Sequence, residues 1–257
     1  MSQRVPSFYY LLVACCALSS CSVYAPMLPA APQIRDKGQA EVQATSFLNG
    51  RWEAGATYSP LRHVLVRAAG GIKTDSRDTA YFRVHQYEVG LGGYYPLGKH
   101  WLVTGLGGYG QARSNRGYYQ TFLFGNGYLV DFKANYRRVF GELSTSYYNS
   151  WVTLGLAYRL SKVDFTSLTY NGAPLGMSGM LREEAMLFAR FGSEEGSLSW
   201  LGFQVSLGTT AVPRSRPEDQ NTNPYAREYD HLRESRILMG ASLIVYPHRL
   251  RKSFKPE

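Results

Sequence analysis

The sequence predicts an all-β fold, namely an up-and-down antiparallel transmembrane β-barrel of about ten strands with short periplasmic turns and three long external loops. Three observations lead to this prediction. First, apolar residues alternate with small or polar residues along most of the chain, as in SWVTLGLAYRL at 150–160. Successive side chains of a strand point to opposite faces, so each segment would have one apolar and one polar face. Second, short and long connections alternate between the segments; third, aromatic residues gather beside the short connections.

Ten segments show this alternation and are the predicted strands. Asn49-Gly50 joins the first two segments and is a strong signal for a tight β-hairpin. Apolar residues rarely recur at the helical spacing of three and four, so little helix is expected. The predicted strands are 39–48, 51–59, 63–74, 80–95, 100–112, 130–147, 150–163, 183–193, 199–210 and 236–246.

The connections predict two unlike ends of the barrel. The three longest, at 113–129, 164–182 and 211–235, are all odd-numbered in the series, and successive turns of a meander lie at opposite ends. One end would therefore carry tight turns and the other three long loops. Outer-membrane barrels have this asymmetry, with short turns in the periplasm and longer loops outside the cell. Trp101 and Trp151 follow tight turns, as expected for side chains at a membrane–water interface.

Glycine indicates which face of the strands points inward. In WLGFQVSLG at 200–208, the apolar face is opposed by Gly202, Gln204, Ser206 and Gly208. Glycine weakens a strand, but it suits a narrow lumen in which small residues leave room for a few large charged ones. The apolar face is therefore predicted to contact lipid and the glycine-rich face to line the lumen. A soluble β-sandwich or lipocalin-like barrel is the alternative, and it would reverse the faces.

The first 20 residues are predicted to be a lipoprotein signal peptide. Arg4 precedes the apolar stretch FYYLLVACCAL at 8–18, which has the length of a signal-peptide core. The sequence LSSC at 18–21 then resembles the lipobox of bacterial lipoproteins. That resemblance implies cleavage before Cys21 and lipidation of this residue. An ordinary secretory signal followed by a chance cysteine is the alternative.

Four regions follow from this interpretation. Residues 1–20 form the signal peptide, 21–38 a lipid-anchored tether, 39–246 the outer-membrane barrel and 247–257 a periplasmic basic tail. The tether would leave the barrel at the tight-turn end, towards the inner leaflet. Cleavage would leave Cys21 as the one cysteine of the mature chain, so no disulfide is expected.

The strand pattern and the lipobox together resemble the β-barrel outer-membrane proteins of Bacteroidota, several of which carry a lipoprotein signal. The resemblance covers 39–246 and implies a protein of the cell outer membrane that is lipid-anchored and membrane-spanning. The expected partners are outer-membrane lipid and, at the external loops, lipopolysaccharide or glycan, and the protein is expected to be a monomer. The formal net charge of +9 favours anionic lipid headgroups. An exported chain without a Lys/Arg-rich run is not expected to bind nucleic acid.

Eight charged residues fall on the predicted inner face, with the two signs in balance. Buried charges must be paired, because desolvation of an unpaired charge costs several kcal/mol. One interpretation is a charged constriction that selects solutes; the other is a salt-bridge network that fills and closes the barrel. The second is favoured, because a barrel of this size is barely wider than its side chains. The predicted lumen charge network is Glu41, Arg51, Glu53, Arg67, Glu88, Glu142, Arg159 and Arg190.

No pattern in the sequence strongly supports a catalytic or metal site. The five histidines form no pair at metal-ligand spacing, so neither a metal nor a cofactor is expected. Asp230-His231, in the last long loop, resembles the acid–histidine pair near the rim of the ten-stranded omptin proteases, but no matching acidic pair occurs on an earlier strand. The protein is therefore predicted not to be an enzyme.

The predicted function is that of a non-enzymatic outer-membrane β-barrel lipoprotein with an envelope structural or binding role exerted through its long external loops. A porin-like channel for small solutes, which would use the mixed lumen charges, is the first alternative. A rim hydrolase around Asp230 and His231 is the second.

Overall fold

The computed structural model describes residues 23–77, 80–122, 125–193, 196–213 and 225–253. Antiparallel β-strands contain most of these residues, and most strand boundaries fall within a few residues of the predicted ones. The strands are β1 Ala40–Phe47, β2 Trp52–Tyr58, β3 Val64–Arg77, β4 Ala80–Leu97, β5 Trp101–Phe122, β6 Gly125–Tyr148, β7 Val152–Tyr170, β8 Ala173–Pro174, β9 Gly179–Phe191, β10 Leu201–Ala211 and β11 Arg236–Val245.

The sheet closes on itself as a barrel with ten wall strands. Each wall strand pairs with the next one along the chain, and β1 pairs with β11 from Val42–Val245 to Phe47–Gly240. The two-residue β8 pairs with the end of β7 and adds no strand to the wall. Closure gives the backbone of every wall strand a partner on both sides, as a membrane requires. The predicted all-β, up-and-down antiparallel barrel is confirmed.

The two ends of the barrel differ in how far the strands extend. The end that contains the start of β1 and the end of β11 is called the turn end below, and the opposite end is called the hairpin end. The wall is uneven towards the hairpin end, because β1 and β2 have 8 and 7 residues while β5 and β6 have 22 and 24. The turn end holds the connections 59–63, 98–100 and 149–151 and the junction of β9 with β10. The hairpin end holds the connections 48–51 and 171–178 and the junctions of β3 with β4, β5 with β6 and β10 with β11.

Two of the three predicted long loops are largely strand. β5 and β6 remain paired through most of 113–129, with Tyr118 opposite Val130, and β7 and β9 extend into 164–182. Aromatic residues there favour strands, and cross-strand pairing continues beyond the point where alternation in the sequence becomes irregular. The third connection, within 211–235, remains long and includes the helix α1, Ala226–Arg233.

The apolar faces of the strands point outward, as predicted. In β7, the side chains of Leu154, Leu156, Tyr158 and Leu160 are 40–55% exposed, whereas Arg159 on the alternate face is fully buried. Such a large exposed apolar surface is rare on soluble proteins and is typical of a lipid-facing barrel wall. Other exposed apolar residues on the wall include Val42, Leu91, Val139, Leu187, Leu207 and Leu243.

Residues 23–34 run through the barrel lumen and are called the lumen segment below. Val23, Tyr24 and Ala31 are fully buried, and Ile34 is 1% exposed. The chain leaves the lumen at the turn end and continues into β1. This differs from the prediction for 21–38, in which the whole stretch is a tether outside the barrel. The physical reason is that the inner wall supplies the hydrogen bonds that water would give an extended tether.

The helices are short and lie at the two ends of the barrel. α1 lies at the hairpin end, and α2, Pro247–Ser253, follows β11 at the turn end. α2 contains most of the predicted basic tail, whose residues 254–257 lie outside the described residues, as does the predicted signal peptide at 1–20. Within the ranges that the structure describes, no helix combines the length and the apolar character needed to cross a membrane.

Candidate functional site

The candidate functional site is the inner surface of the barrel together with the lumen segment, and glycine makes room in it. A Cβ atom at Gly155 would lie 2.2 Å from Cζ of Phe188, and one at Gly108 would lie 2.6 Å from Cζ of Phe140. These two glycines therefore let phenylalanine rings lie against the wall. The Arg159 guanidinium lies 4.3 Å from the centroid of the Phe140 ring, which is within cation–π range.

Arg159 lies at the centre of the main ion cluster. Its Nη2 and Nε donate to Glu142 Oε2 at 2.7 and 3.0 Å, and its Nη1 donates to Glu88 Oε2 at 3.0 Å. Glu142, Arg159 and Glu184 lie directly opposite one another on β6, β7 and β9. The distance from Arg159 Nε to Glu184 Oε2 is 4.0 Å. The strand register therefore places a carboxylate on each side of the arginine.

Glu88 connects this cluster to β3 and β6. It accepts a hydrogen bond from Arg138 Nη2 at 3.0 Å and lies 3.5 Å from Arg67 Nε. Gly110 lies between Glu88 and Arg138 in the register, and a Cβ atom there would lie 3.0 Å from Arg138 Nε. The missing side chain lets the two charged groups meet. The opposite charges of Glu88 and Arg138 stabilise each other, because burial of an unpaired charge is strongly unfavourable.

Two further ion pairs lie along the lumen. Arg51 Nη2 is 3.0 Å from Glu53 Oε1, at the hairpin end of β2. Towards the turn end, Arg190 Nη1 donates to Glu41 Oε2 at 2.8 Å and to the Tyr246 hydroxyl at 3.0 Å. All eight charged residues of the predicted network thus lie on the inner surface, each in an ion pair.

The wall carboxylates also hold the lumen segment. Glu142 Oε1, the oxygen that does not face arginine, accepts from Ala30 N at 2.7 Å and from Ala31 N at 3.2 Å. The two oxygens of Glu53 also have different partners: Oε1 lies near Arg51, and Oε2 accepts from Leu28 N at 3.2 Å. Buried backbone N–H groups need such partners. These glutamates therefore satisfy both the arginines of the wall and the backbone of the segment.

Prolines lower the number of backbone donors that the lumen has to satisfy. Pro26, Pro29 and Pro32 have no N–H, and their spacing of three matches the repeat of an extended polyproline II chain. The segment is extended except at Ala31, whose φ is 40°, and several of its other N–H and C=O groups bond to the wall. One of them, Gln33 N, donates to Glu41 Oε2 at 3.0 Å near the turn end.

Wall donors satisfy carbonyl groups of the segment towards the hairpin end. Ser114 Oγ donates to the Val23 carbonyl at 2.7 Å, and Arg236 Nη1 donates to the Tyr24 carbonyl at 3.2 Å. The hydroxyl of Tyr24 in turn donates to Glu184 Oε1 at 2.6 Å. The lumen segment is thus bonded to the wall at both of its ends and in the middle.

Two cavities beside the segment are small. The cavity between Leu28 and strands β1–β3 has a volume of about 10 Å³. This is close to the smallest volume that can hold one water molecule. A cavity around Arg35 and Arg249, at the turn end, has a volume of about 30 Å³. At the level of the ion cluster, Glu88, Glu142 and Arg159 are 1%, 6% and 0% exposed, so protein fills the lumen there.

Four buried charged residues of the described ranges lie outside the predicted network, and one of them, Lys73, lies six residues after Arg67 on β3. Arg138 and Glu184 are on the inward faces of β6 and β9, an even number of residues from Glu142 and Arg190. Counting by two along β6 would have identified Arg138, and hairpin register predicts Glu184 as a partner carboxylate of Arg159 although the predicted network omits it. Arg182 lies on the same face of β9, but the predicted strand begins after it. No pattern in the sequence indicated that residues 23–34 enter the lumen.

The other predicted site residues lie elsewhere. Asp230 and His231 are in α1, where successive side chains point about 100° apart. His231 Nδ1 lies 2.9 Å from Glu234 Oε1, so the histidine pairs with this glutamate. The described part of the chain contains no group of three or more His, Cys, Asp or Glu side chains that could hold a metal ion. Cys21, the predicted lipidation site, lies outside the described residues.

Comparison with known proteins found solved structures with a limited likeness to this chain, among them outer-membrane proteins. No protein-family model and no curated protein matches the chain. The translocator domain of the autotransporter NalP from Neisseria meningitidis is similar, with a TM-score of 0.44 and 11% identity over 81% of this chain and 85% of that one. The outer membrane protease OmpT from Escherichia coli has a TM-score of 0.39 and 10% identity over 81% of this chain and 91% of that one. The NanC porin has a TM-score of 0.30 and 10% identity over 80% of this chain and 98% of that one. The likeness concerns the fold alone, and the closed antiparallel barrel is established by the strand pairing of this chain itself.

One of these similar structures corrects a prediction made from the sequence. The chain was predicted not to be an enzyme, yet a barrel of similar architecture is an outer membrane protease in Escherichia coli. The prediction was therefore wrong to exclude catalysis for such a barrel. The likeness itself gives this chain neither an activity nor a catalytic residue.

Proposed function

We propose that this protein is a closed outer-membrane β-barrel that is anchored by lipid at Cys21 and has an envelope structural or binding role at its external surface. The observation that carries the proposal is the lumen segment. It crosses the barrel, is buried along its length and is bonded by Glu53, Glu142 and Glu41. A porin-like channel needs a continuous aqueous path, and a filled lumen favours a closed barrel instead.

Residence in the outer membrane is supported by the wall. Its backbone hydrogen bonds close around the barrel, and its outward side chains are predominantly apolar. Trp101 and Trp151, which are 48% and 76% exposed, lie at the turn end as interfacial side chains would. We assign the turn end to the periplasm and the hairpin end to the cell exterior, as in other outer-membrane barrels.

Planar-bilayer conductance tests whether the barrel is closed. The purified full chain should give no stable conductance steps, and a variant that lacks residues 23–34 should give them. A variant that lacks 254–257 is the matched control and should behave as the full chain does. Heat-modifiable migration on unboiled gels checks that each variant has folded. Stable open channels from the full chain would contradict the proposal.

The lipid anchor has a separate test. Labelled palmitate should enter the wild type and a Cys15→Ala variant, but not a Cys21→Ala variant. Cys15 is the control because it belongs to the predicted signal peptide, which cleavage would remove. Equal labelling of all three chains would disprove the anchor. Loss of label in Cys15→Ala alone would mean that Cys15, not Cys21, is the lipidated residue.

The hairpin of β5 and β6 is the best-supported external binding surface. At about 3.4 Å per residue and a tilt near 40°, the 22 residues of β5 rise about 57 Å along the axis, roughly twice the thickness of the hydrocarbon core. Tyr119 and Leu129, far along this hairpin, are each 50% exposed. Tyr119→Ser should weaken binding of purified lipopolysaccharide, and Tyr95→Ser, at the turn end, should not. Equal effects of the two changes would refute this surface.

A further inference from the structure

The direction of the lumen segment decides which side of the membrane its N-terminal end reaches. At one end, Arg35 Nη1 and Nη2 donate to the carbonyls of Lys99 and His100 at 3.0 and 3.3 Å, in the connection 98–100 at the turn end. At the other end, the Val23 carbonyl accepts from Ser114 Oγ. Ser114 lies 13 residues from the start of β5, about 34 Å along the axis at the same rise and tilt.

The length of the chain between these contacts agrees with a direct crossing. Twelve steps separate residues 23 and 35, and at the roughly 3.1 Å per residue of polyproline II they would span about 37 Å, less a shortening at Ala31, whose φ is 40°. This matches the 34 Å estimated along the axis, roughly the thickness of the hydrocarbon core. The segment therefore crosses the barrel once and does not turn back within it.

We infer that the barrel carries its own N-terminus across the outer membrane, so that the acyl chains on Cys21 lie in the external leaflet. The inference rests on the lipidation of Cys21 and on the assignment of the turn end to the periplasm, both proposed above. Cys21 is two residues from Val23, a distance of at most about 7 Å along an extended chain. Such a short piece cannot return to the turn end, so it keeps the anchor on the side where Val23 is held.

The shape of the rim gives these acyl chains a path to the membrane. The wall is lowest beside the connection 48–51, because β1 and β2 are its shortest strands among those described. Leu48, in this connection, is 81% exposed. Acyl chains that leave the mouth of the lumen can cross the rim here to reach external-leaflet lipid. On the opposite side, the much longer β5 and β6 form a higher rim.

The contacts of Tyr24 hold the segment in this direction. Its ring lies 5.0 Å from the Arg182 guanidinium and 5.5 Å from the Tyr136 ring, and its hydroxyl donates to Glu184. The Tyr136 hydroxyl also accepts from Ala25 N at 3.2 Å. A buried aromatic residue fixed from several strands would have to be pulled out before the N-terminus could move to the periplasmic side.

Cysteine labelling of intact cells tests the inference. Ser22→Cys should react with a membrane-impermeant maleimide to the same extent before and after the outer membrane is permeabilised. Lys37→Cys, exposed at the turn end, is the matched control and should react only after permeabilisation. A second chain with a flexible protease site inserted between Ser22 and Val23 gives an independent readout, because protease added to intact cells should cleave it.

The outcomes separate this inference from the anchor itself. Reaction of Ser22→Cys, or cleavage of the inserted site, only after permeabilisation overturns the inference, even where palmitate is incorporated. Labelling of intact cells without palmitate incorporation keeps the crossing but refutes the lipid anchor. If Ser22→Cys is unreactive in both states, cleavage of the inserted site decides between the two sides.

Discussion

Replacement of Arg159 by methionine tests how the filled lumen is stabilised. Methionine is similar in length but has no charge and no N–H donor. The change removes both donors to Glu142 Oε2 and one of the arginines that surround Glu88. Glu88 keeps Arg138 and Arg67, so the greater loss falls on Glu142.

The magnitude follows from burial. Arg159 is fully buried and the Glu142 side chain is 1% exposed, so water does not replace the lost donors. Removal of one partner of such a pair leaves an uncompensated charge, which typically costs about 3–5 kcal/mol. We expect a loss of this size in the free energy of unfolding of Arg159→Met. Lys162→Met on the same strand is the control, because that side chain is 70% exposed and should change stability by less than about 0.5 kcal/mol.

A second substitution separates the ion pair from general damage to the lumen. Glu142→Gln removes the charge but keeps an oxygen that can accept from Ala30 N and Ala31 N. The double variant Arg159→Met, Glu142→Gln should therefore lose less than the sum of the two single losses, by about 1–3 kcal/mol. Its lumen contains no unpaired carboxylate at this position, which is why stability should partly return.

Urea unfolding in lipid vesicles, followed by tryptophan fluorescence, measures these differences. Strictly additive losses would mean that Arg159 and Glu142 do not act as a pair. An Arg159→Met variant as stable as the wild type would mean that water reaches the cluster, and the lumen would then be open rather than filled.

Two further predictions use the same unfolding measurement. Gly155→Ala should lose about 1–3 kcal/mol, because its new Cβ would overlap a phenylalanine ring of the wall, whereas Gly141→Ala meets nothing within 4 Å and should not; equal losses would refute the packing argument. Tyr246→Phe removes the hydroxyl that accepts from the charged Arg190 and should cost about 1.5–3 kcal/mol. The exposed Tyr95→Phe should cost nothing, and a loss as large as that of Tyr246→Phe would count against a specific role for the buried hydroxyl.

The wall could be predicted from the sequence because its physics is local. A period of two in the side chains assigns each residue to one face, and lipid outside with a crowded lumen inside makes the two faces chemically unlike. The stretch 150–160 illustrates this, since its apolar face is exposed and Arg159 is buried. Hairpin register relates each residue to those opposite it on the neighbouring strands. Once the turns are known, it therefore predicts that Glu142 and Glu184 lie opposite Arg159.

The lumen segment could not be predicted in the same way. An extended chain with Pro26, Pro29 and Pro32 has the same composition whether water or a barrel wall satisfies its backbone. Its position depends on contacts with residues far along the chain, such as Glu142 and Glu184. The extension of β5 and β6 through 113–129 was missed for a related reason, because pairing across the hairpin maintains strands where the alternation along one strand is irregular.

The ion cluster and the lumen segment are best understood as one unit. Glu142 and Glu53 each present one oxygen to an arginine and the other to a backbone N–H of the segment. Without the arginines, carboxylates beside the segment would be costly to bury; without the segment, half of their acceptor capacity would need water. Glu41 extends the unit to the seam between β1 and β11, because this β1 side chain contacts both Gln33 of the segment and Arg190 of β9. The contacts that hold the segment therefore also cross the seam where the first strand meets the last, so that closure of the barrel and seating of its N-terminus stabilise each other.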